Sequence, residues 1–327
     1  MTERIDEVEI ALLADSHLRD RQFGRADRGR DFARALDAAV DACIREGITT
    51  ILHGGDIIDS TRPSPQTMRD LLDLDAKLAA AACTMYVVSG NHDATDPHWM
   101  DVVEQDRDGG IHLLDDEPVE IDGGLTVRGI GWTPKEDFLV REAAGPPADI
   151  LLWHGAVREA MDYPMESAIQ LDELPRGRYR LIALGDIHKH WSANLADGTA
   201  VAYPGSTELC EQGEEFEKGV TVFRFRRGRD GFALVGSRRL RIPTRPVLAL
   251  KAGLDTELDD AVAKIRAANA DRPIILFRYN PALPDAVSRA CAAGPDCIMR
   301  PAPMIDPMAG VAGRSEEHTS ELQSPLN

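Results

Sequence analysis

Aspartate and histidine recur in this 327-residue chain in short clusters of the kind that hold divalent metal ions. Asp15 and His17 form an Asp-x-His pair, and Gly55-Asp56 follows Leu52-His53-Gly54. Gly90-Asn91-His92-Asp93, His154-Gly155 and Gly185-Asp186-Ile187-His188-Lys189-His190 continue the series. Carboxylate, amide oxygen and imidazole together suit an ion such as Mn2+, whereas a structural zinc site would bring cysteines. Residues i and i+2 of an extended segment share a face, so each Asp-x-His pair can aim both side chains at one ion. Asp56, reached through a buried strand and two glycines, is expected to bridge two ions.

The elements that must position these clusters are legible as apolar runs. Residues 8–14 read as a buried strand ending at Asp15. Phe32, Ala35, Leu36, Ala39, Val40, Cys43 and Ile44 recur at helical spacing, with Gly47 placed to cap the helix end. Residues 48–53 form the next strand. Ser64-Pro65 opens a second helix that carries Met68, Leu71, Leu72 and Leu78 inward. Residues 85–89, 149–153 and 179–184 are further strands. Five apolar strands thus each end in one polar cluster, and ligands of open α/β sheets sit at the carboxyl ends of strands. Asp122-Gly123-Gly124 marks a hairpin, and 199–203, 218–227 and 231–241 read as further antiparallel strands. Pro243-Thr244-Arg245-Pro246 reads as a linker. A small α/β domain follows, with strands at 247–250 and 274–278 around a helix at 258–267. No G-x-G-x-x-G follows the first strand and no Walker lysine motif occurs, which argues against a nucleotide-binding α/β protein.

Hydrophobic residues make up 43% and charged residues 28%, an ordinary globular composition, and no apolar run is long enough to cross a bilayer. The charged N-terminus is unlike a signal peptide, which places the protein in the cytoplasm. Cys43, Cys83, Cys210, Cys291 and Cys297 lack C-x-x-C spacing and read as packing residues. The net charge of −18 is unfavourable for binding phosphate backbones at large. One local exception is the loop after the first cluster, crowded with Arg19, Arg21, Arg25, Arg28 and Arg30. Its alternative reading is a solvated loop neutralised by Asp20, Asp27 and Asp31. Residues 314–327 are set apart, because Arg314 to Ser324 resembles a translated sequencing-adapter oligonucleotide and reads as an artefact tail.

The clusters, in this order, resemble the calcineurin-like metallophosphoesterases, and within them the SbcD-type DNA double-strand-break repair nucleases. Ser60-Thr61-Arg62-Pro63-Ser64-Pro65 and Tyr203-Pro204-Gly205-Ser206 resemble the nuclease branch more specifically. The resemblance implies an α/β metallophosphoesterase sandwich, mixed β-sheets flanked by helices, over residues 1–242. A partial α/β capping domain over 246–313 would follow. It further implies two divalent ions, Mn2+ foremost with Mg2+ as the alternative. Asp15 and His17 would bind the first ion, Asn91 and His154 the second, and Asp56 both. The family usually carries Gly-His-x-His where this chain has Gly-Asp186-Ile187-His188. In one register Asp186 takes the second ion and His188 the first; in the other, His188 and His190 are the pair.

His92 would be the general acid beside the scissile phosphate, with Asp93 setting its orientation. Asp59 lies near the site, as a participant or as a helix cap or loop brace. Arg19, Arg21, Arg25 and Arg62 are the residues expected to meet DNA. The implied activity is a manganese-dependent nuclease, exonuclease and endonuclease, acting at DNA ends or hairpins. Its implied partner is an SbcC-type coiled-coil ATPase whose docking region lies beyond the capping domain, and a homodimer is implied through helices of the N-terminal half. Two other readings compete: a metallophosphoesterase for small phosphodiesters or phosphoproteins, and a catalytically weak scaffold that binds DNA ends.

Overall fold

The computed structural model describes residues 7–95, 109–163, 165–211, 214–229 and 231–304. The tail 314–327 lies outside the described residues. The chain divides into two compact units, Met1–Thr244 and Arg245–Asn327.

The first unit is a sandwich of two six-stranded sheets. In one, β1 (Glu7–Leu13), β2 (Thr50–His53), β3 (Thr84–Val87) and β4 (Ile111–Leu113) run parallel. β11 (Gly219–Gly228) and β12 (Gly231–Arg241) extend this sheet antiparallel from β1. In the other, β6 (Thr126–Ile130), β7 (Ile150–His154), β8 (Leu181–Gly185) and β10 (Ala200–Tyr203) are parallel. β5 (Val119–Glu120) and β9 (Trp191–Asn194) flank them antiparallel. The strand over 200–203, expected as antiparallel, therefore pairs in parallel with β8 and antiparallel only with β9.

Strand alternation explains the layers. On β1, Ile10 and Leu12 face the second sheet, whose Ile150, Leu152, Leu181 and Ala183 complete the inner core. Ala11 and Leu13 face the other way, toward α1 (Ala26–Arg45) and α2 (Pro65–Ala80). On β7 the intervening Leu151 and Trp153 are buried in an outer core, where Trp153 stacks on Phe138 of α3 (Lys135–Ala144). Strands covered on both faces read as continuous apolar runs, which is how they look in the sequence.

The helix starts are set locally. Ser64 caps α2, its Oγ accepting from the Thr67 N–H at 3.1 Å, with Pro65 in the first turn. Helix α1 begins at Ala26, so Arg28 and Arg30 are helical residues and the arginine-rich loop is shorter than expected. The second unit is a parallel sheet of β13 (Val247–Ala252), β14 (Ile274–Tyr279) and β15 (Ile298–Pro303). It is packed with α4 (Asp255–Ala268) and α5 (Ala286–Ala293) around Leu258, Ile265, Ile275 and Phe277. The last helix and strand were not resolved from the sequence.

Candidate metal centre

The five clusters come from two sheets, not one. β1, β2 and β3 lead to Asp15, Asp56 and Asn91, while β7 and β8 lead to His154 and Asp186. Glycine brings these strand ends together. A Cβ on Gly54 would stand 2.8 Å from the Gly185 nitrogen, so β2 and β8 meet backbone to backbone. A Cβ on Gly90 would collide with the Asp56 carboxylate, and one on Gly55 with the His154 ring. The strand ends then turn sharply: Asp15, His17, Asp56 and Asp186 all have positive φ, at 53°, 44°, 52° and 102°. Such conformations cost on the order of 1–3 kcal/mol each and concentrate where the fold aims side chains at a ligand.

Asp56 lies at the middle. Its carboxylate, 2% exposed as a residue, accepts the His92 N–H at 2.9 Å. Its Oδ2 is 3.8 Å from His17 Nε2 and 3.7 Å from His154 Nε2. Burial, then the nearby Asp15 and Asp93, push the Asp56 carboxyl up to about 9. Burial raises Asp15 to about 7, although the Asp186 N–H donates to both Asp15 oxygens at 3.0 and 3.2 Å. Crowded buried carboxyls of this kind are stable as anions only beside a cation.

The histidines show the same need. His154 Nδ1 lies 2.7 Å from the Gly54 carbonyl, so that nitrogen carries the proton. Its Nε2 lone pair then faces Asn91 Oδ1 at 3.1 Å, with Asp56 Oδ2 and Asp186 Oδ1 each at 3.7 Å. With Asn91 in this orientation, His154 Nε2, Asn91 Oδ1 and the two carboxylates when ionised are all acceptors. On the other side, His17 Nδ1 lies 3.1 Å from Asp59 Oδ1 and His188 Nδ1 lies 2.8 Å from Glu214 Oε1. Both Nδ1–H groups are committed to carboxylates, yet His17 Nε2 and His188 Nε2 are 3.0 Å apart. Two lone pairs at that distance need a proton or a metal cation between them. Burial holds His17 and His154 down at about 4, while the hydrogen bond that His188 donates to Glu214 helps raise His188 despite its burial. Converging oxygen and imidazole lone pairs fit divalent cations, and carboxylates behind the imidazoles are how metal-binding histidines are oriented.

Among the described residues, three groups of donor atoms lie within 4.8 Å of one another: Asp15–Asp56–His154, His17–Asp56–His92 and His17–His188–Cys210. Asp56 belongs to two of them. His190 stands apart: its ring is half-buried near Arg239 and Glu215, and among the described residues no hydrogen bond or ion pair joins it to the centre. Asp93 is fully buried and accepts from the Gly90, Ile57 and Ile58 N–H groups, tying two motif loops together. The carboxylate beside His92 is Asp59, 3.4 Å from His92 Nδ1. Asp59 also pairs with Arg19 at 2.6 Å; it does not cap α2.

The arginines fare differently. Arg19 is tied to Asp59 and the His17 carbonyl and lies over Phe32. Arg25 pairs with Asp27, and Arg28 is fully buried against Gln22, Asp31 and Glu208. Arg21 and Arg62 are exposed. Glu214, Lys218 and Cys210 were missed in the sequence. Glu214 sits in a loop without a motif of its own, eight residues after Ser206, whose Oγ lies 3.3 Å from its Oε2.

Compared with known families, residues 8–190 match the calcineurin-like phosphoesterases. Among curated proteins, the chain is similar to DNA double-strand break repair protein Mre11 of Saccharolobus solfataricus, 26% identical over 287 residues. That alignment covers 82% of this chain and 74% of the relative. The Halobacterium salinarum protein of the same name is 28% identical, with 81% and 76% covered. The Methanosarcina acetivorans protein is 27% identical over 77% of this chain, which there spans only 41% of the relative. A dimetal phosphatase from Danio rerio superposes on 72% of this chain at 12% identity with a TM-score of 0.44. The match runs over more than half the chain and through every cluster from Asp15 to His188, so the chain belongs to the calcineurin-like phosphoesterase family, hydrolases of phosphoester bonds.

Proposed function

We propose that this chain is a manganese-dependent DNA nuclease that hydrolyses phosphodiester bonds at DNA ends or hairpins in double-strand-break repair. The observation that carries the reading is the convergence of His17, His188, Asp56, His154, Asn91 and Asp186 on one small volume, in a chain similar over most of its length to repair proteins. Asp15, His17 and His188 would hold one ion, Asn91, His154 and Asp186 the other, and Asp56 would serve both. Lys218, Glu214, Asp59 and the Gly54 carbonyl keep the imidazoles oriented.

When bound, the two ions supply Lewis acidity at the phosphate oxygens and at the attacking water. His92 stands at the mouth, its side chain 45% exposed and its ring edge-on to His17 at 5.0 Å. Asp59 Oδ1, 3.4 Å from His92 Nδ1, braces the ring, and His92 passes a proton to the departing 3′ or 5′ oxygen. Exposed Arg21 and Arg62, with Arg19 and Arg25 on the same loop system, offer the strand its basic contacts. No helix among the described residues is long and apolar enough to cross a membrane. The proposed setting is the cytoplasm, with an SbcC-type ATPase as partner and a second copy of the chain through the N-terminal helices.

The net charge of −18 favours a second reading, hydrolysis of small phosphodiesters. Incubation with Mn2+ and linear duplex DNA, hairpin DNA or an aryl phosphodiester separates the two. Cleavage of DNA is expected; turnover of the aryl ester alone would favour the small substrate. Tight DNA binding without any hydrolysis would favour a scaffold.

A further inference from the structure

Cys210 is a packing residue by its sequence context, yet its Sγ, His17 and His188 offer donor atoms within 4.8 Å of one another. The cysteine is held in place from three sides. Its N–H donates to Glu214 Oε2 at 3.1 Å, its carbonyl accepts from Gln22 Nε2 at 2.6 Å, and its thiol donates to the Glu208 carbonyl at 3.4 Å. The other oxygen of the same Glu214 carboxylate holds His188 Nδ1. One largely buried acid therefore holds the His188 imidazole and the backbone of Cys210 together, and Lys218 Nζ at 2.7 Å fixes that acid in turn. The facing Nε2 atoms of His17 and His188, 3.0 Å apart, are the independent sign that a cation belongs there.

We propose that Cys210 joins His17 and His188 as a sulfur donor, making a two-nitrogen, one-sulfur face that takes a thiophilic divalent cation such as Zn2+ or Cd2+. Binding replaces the thiol proton by the metal, and the proton leaves to solvent. Three protein donors with one open position is an ordinary zinc arrangement, and thiolate selects against Mn2+ and Mg2+. The inference rests on the metal-centre reading for His17 and His188, which a thiophilic ion would withdraw from a hard ion at Asp56. This chain would then be inhibited by zinc through a residue outside its catalytic ligands.

Cadmium tests this without turnover. Of the other cysteines, Cys43, Cys83 and Cys297 are buried in cores and Cys291 is exposed, so the experiment uses the Cys291→Ser protein. One equivalent of Cd2+ should produce the ultraviolet sulfur-to-cadmium charge-transfer band, and adding Cys210→Ser should abolish it. A band that survives Cys210→Ser, or one bound Cd2+ without a band, overturns the proposal. The unmodified protein gives a second measurement that needs no variant at position 210. Zn2+ should slow alkylation of Cys210 about tenfold or more, because the free thiolate is the nucleophile, while Cys291 reacts as before. An unchanged rate at Cys210 with zinc bound also overturns it. Mn2+-dependent cleavage of DNA and of the aryl ester, run in parallel, reports on the proposed function separately, since the band does not require turnover.

Discussion

His17 and His188 meet Nε2 to Nε2 at 3.0 Å, each held from behind by its own carboxylate, Asp59 and Glu214. The two acids differ in setting. Asp59 is partly exposed and shared with Arg19, whereas Glu214 is largely buried and paired with Lys218, and its carboxyl is held down at about 2 against desolvation, first by His188 and then by Lys218.

Glu214→Gln keeps the shape of this tether and removes its charge. Mn2+ affinity by calorimetry should fall about 10–100-fold, the usual cost of losing such a support. The His188 pKa, followed by NMR in the chelated protein, should fall as well, since Glu214 raises it. A folded variant with both quantities unchanged would remove Glu214 from the site.

Metal removal should make stability pH-dependent in an unusual direction. His17, His53 and His154 are held at about 4, 3 and 4, below the unfolded value. The unfolded chain therefore binds more protons below about 6.5, and these groups destabilise the fold as pH falls. Asp15, Asp56 and Asp93 are raised to about 7, 9 and 6, so over the same range they act oppositely. Between pH 7 and 9 only Asp56 of these groups still holds a proton in the folded state that the unfolded chain has lost. Chelated protein should lose up to about 1.4 kcal/mol per pH unit there in urea titrations. Saturating Mn2+ should flatten or reverse the slope.

Gly54→Ala tests the joint between the sheets. Its Cβ would stand 2.8 Å from Gly185 N and 3.0 Å from the Leu184 carbonyl carbon, and backbone does not yield as a side chain does. Overpacking should cost about 1–3 kcal/mol in denaturant midpoints and weaken metal binding at the same time, because β2 and β8 carry ligands to opposite sides of the centre. Lost stability with unchanged metal affinity would mean that the joint is structural only.

The sequence exposed the strand-end clusters because donor residue types after apolar runs are local signals. Asp56 reads from Leu52 to Gly55 together with the four other strand-end clusters, and Ser64-Pro65 reads as the start of α2. The sandwich of sheets came from the family resemblance and not from periodicity, because strand alternation on β1 and β7 looks the same whether the partner face is a helix or another sheet. Glu214 and Cys210 were hidden for a different reason. Their roles follow from a loop returning to His188 across 26 residues, a tertiary contact with no periodicity. Asp93 misled by adjacency: it follows His92 in sequence, but its oxygens are taken by backbone N–H groups.

Two registers of the last motif differ in what they ask of Asp186 and His190. Asp186 Oδ1 stands 3.7 Å from His154 Nε2, while His190 has no bond to the centre among the described residues. Asp186→Ala should therefore reduce bound Mn2+ from two toward one per chain, measured by equilibrium dialysis, and His190→Ala should leave it near two. The reverse order would move the ligand pair to His188 and His190.

His92 can be separated from the ligands by varying the leaving group. A general acid matters in proportion to how poor the leaving group is, since a departing alkoxide needs a proton and a nitrophenolate does not. His92→Ala should lower kcat on DNA by about 10²–10⁴-fold, act far less on a nitrophenyl phosphodiester, and leave Mn2+ affinity in place. Asp59→Asn should do more than lose the acid, because Asp59 touches His17, Arg19 and His92 together, and both metal affinity and kcat should fall. Equal losses on both substrates in His92→Ala would point instead to phosphate positioning, with the proton supplied by solvent.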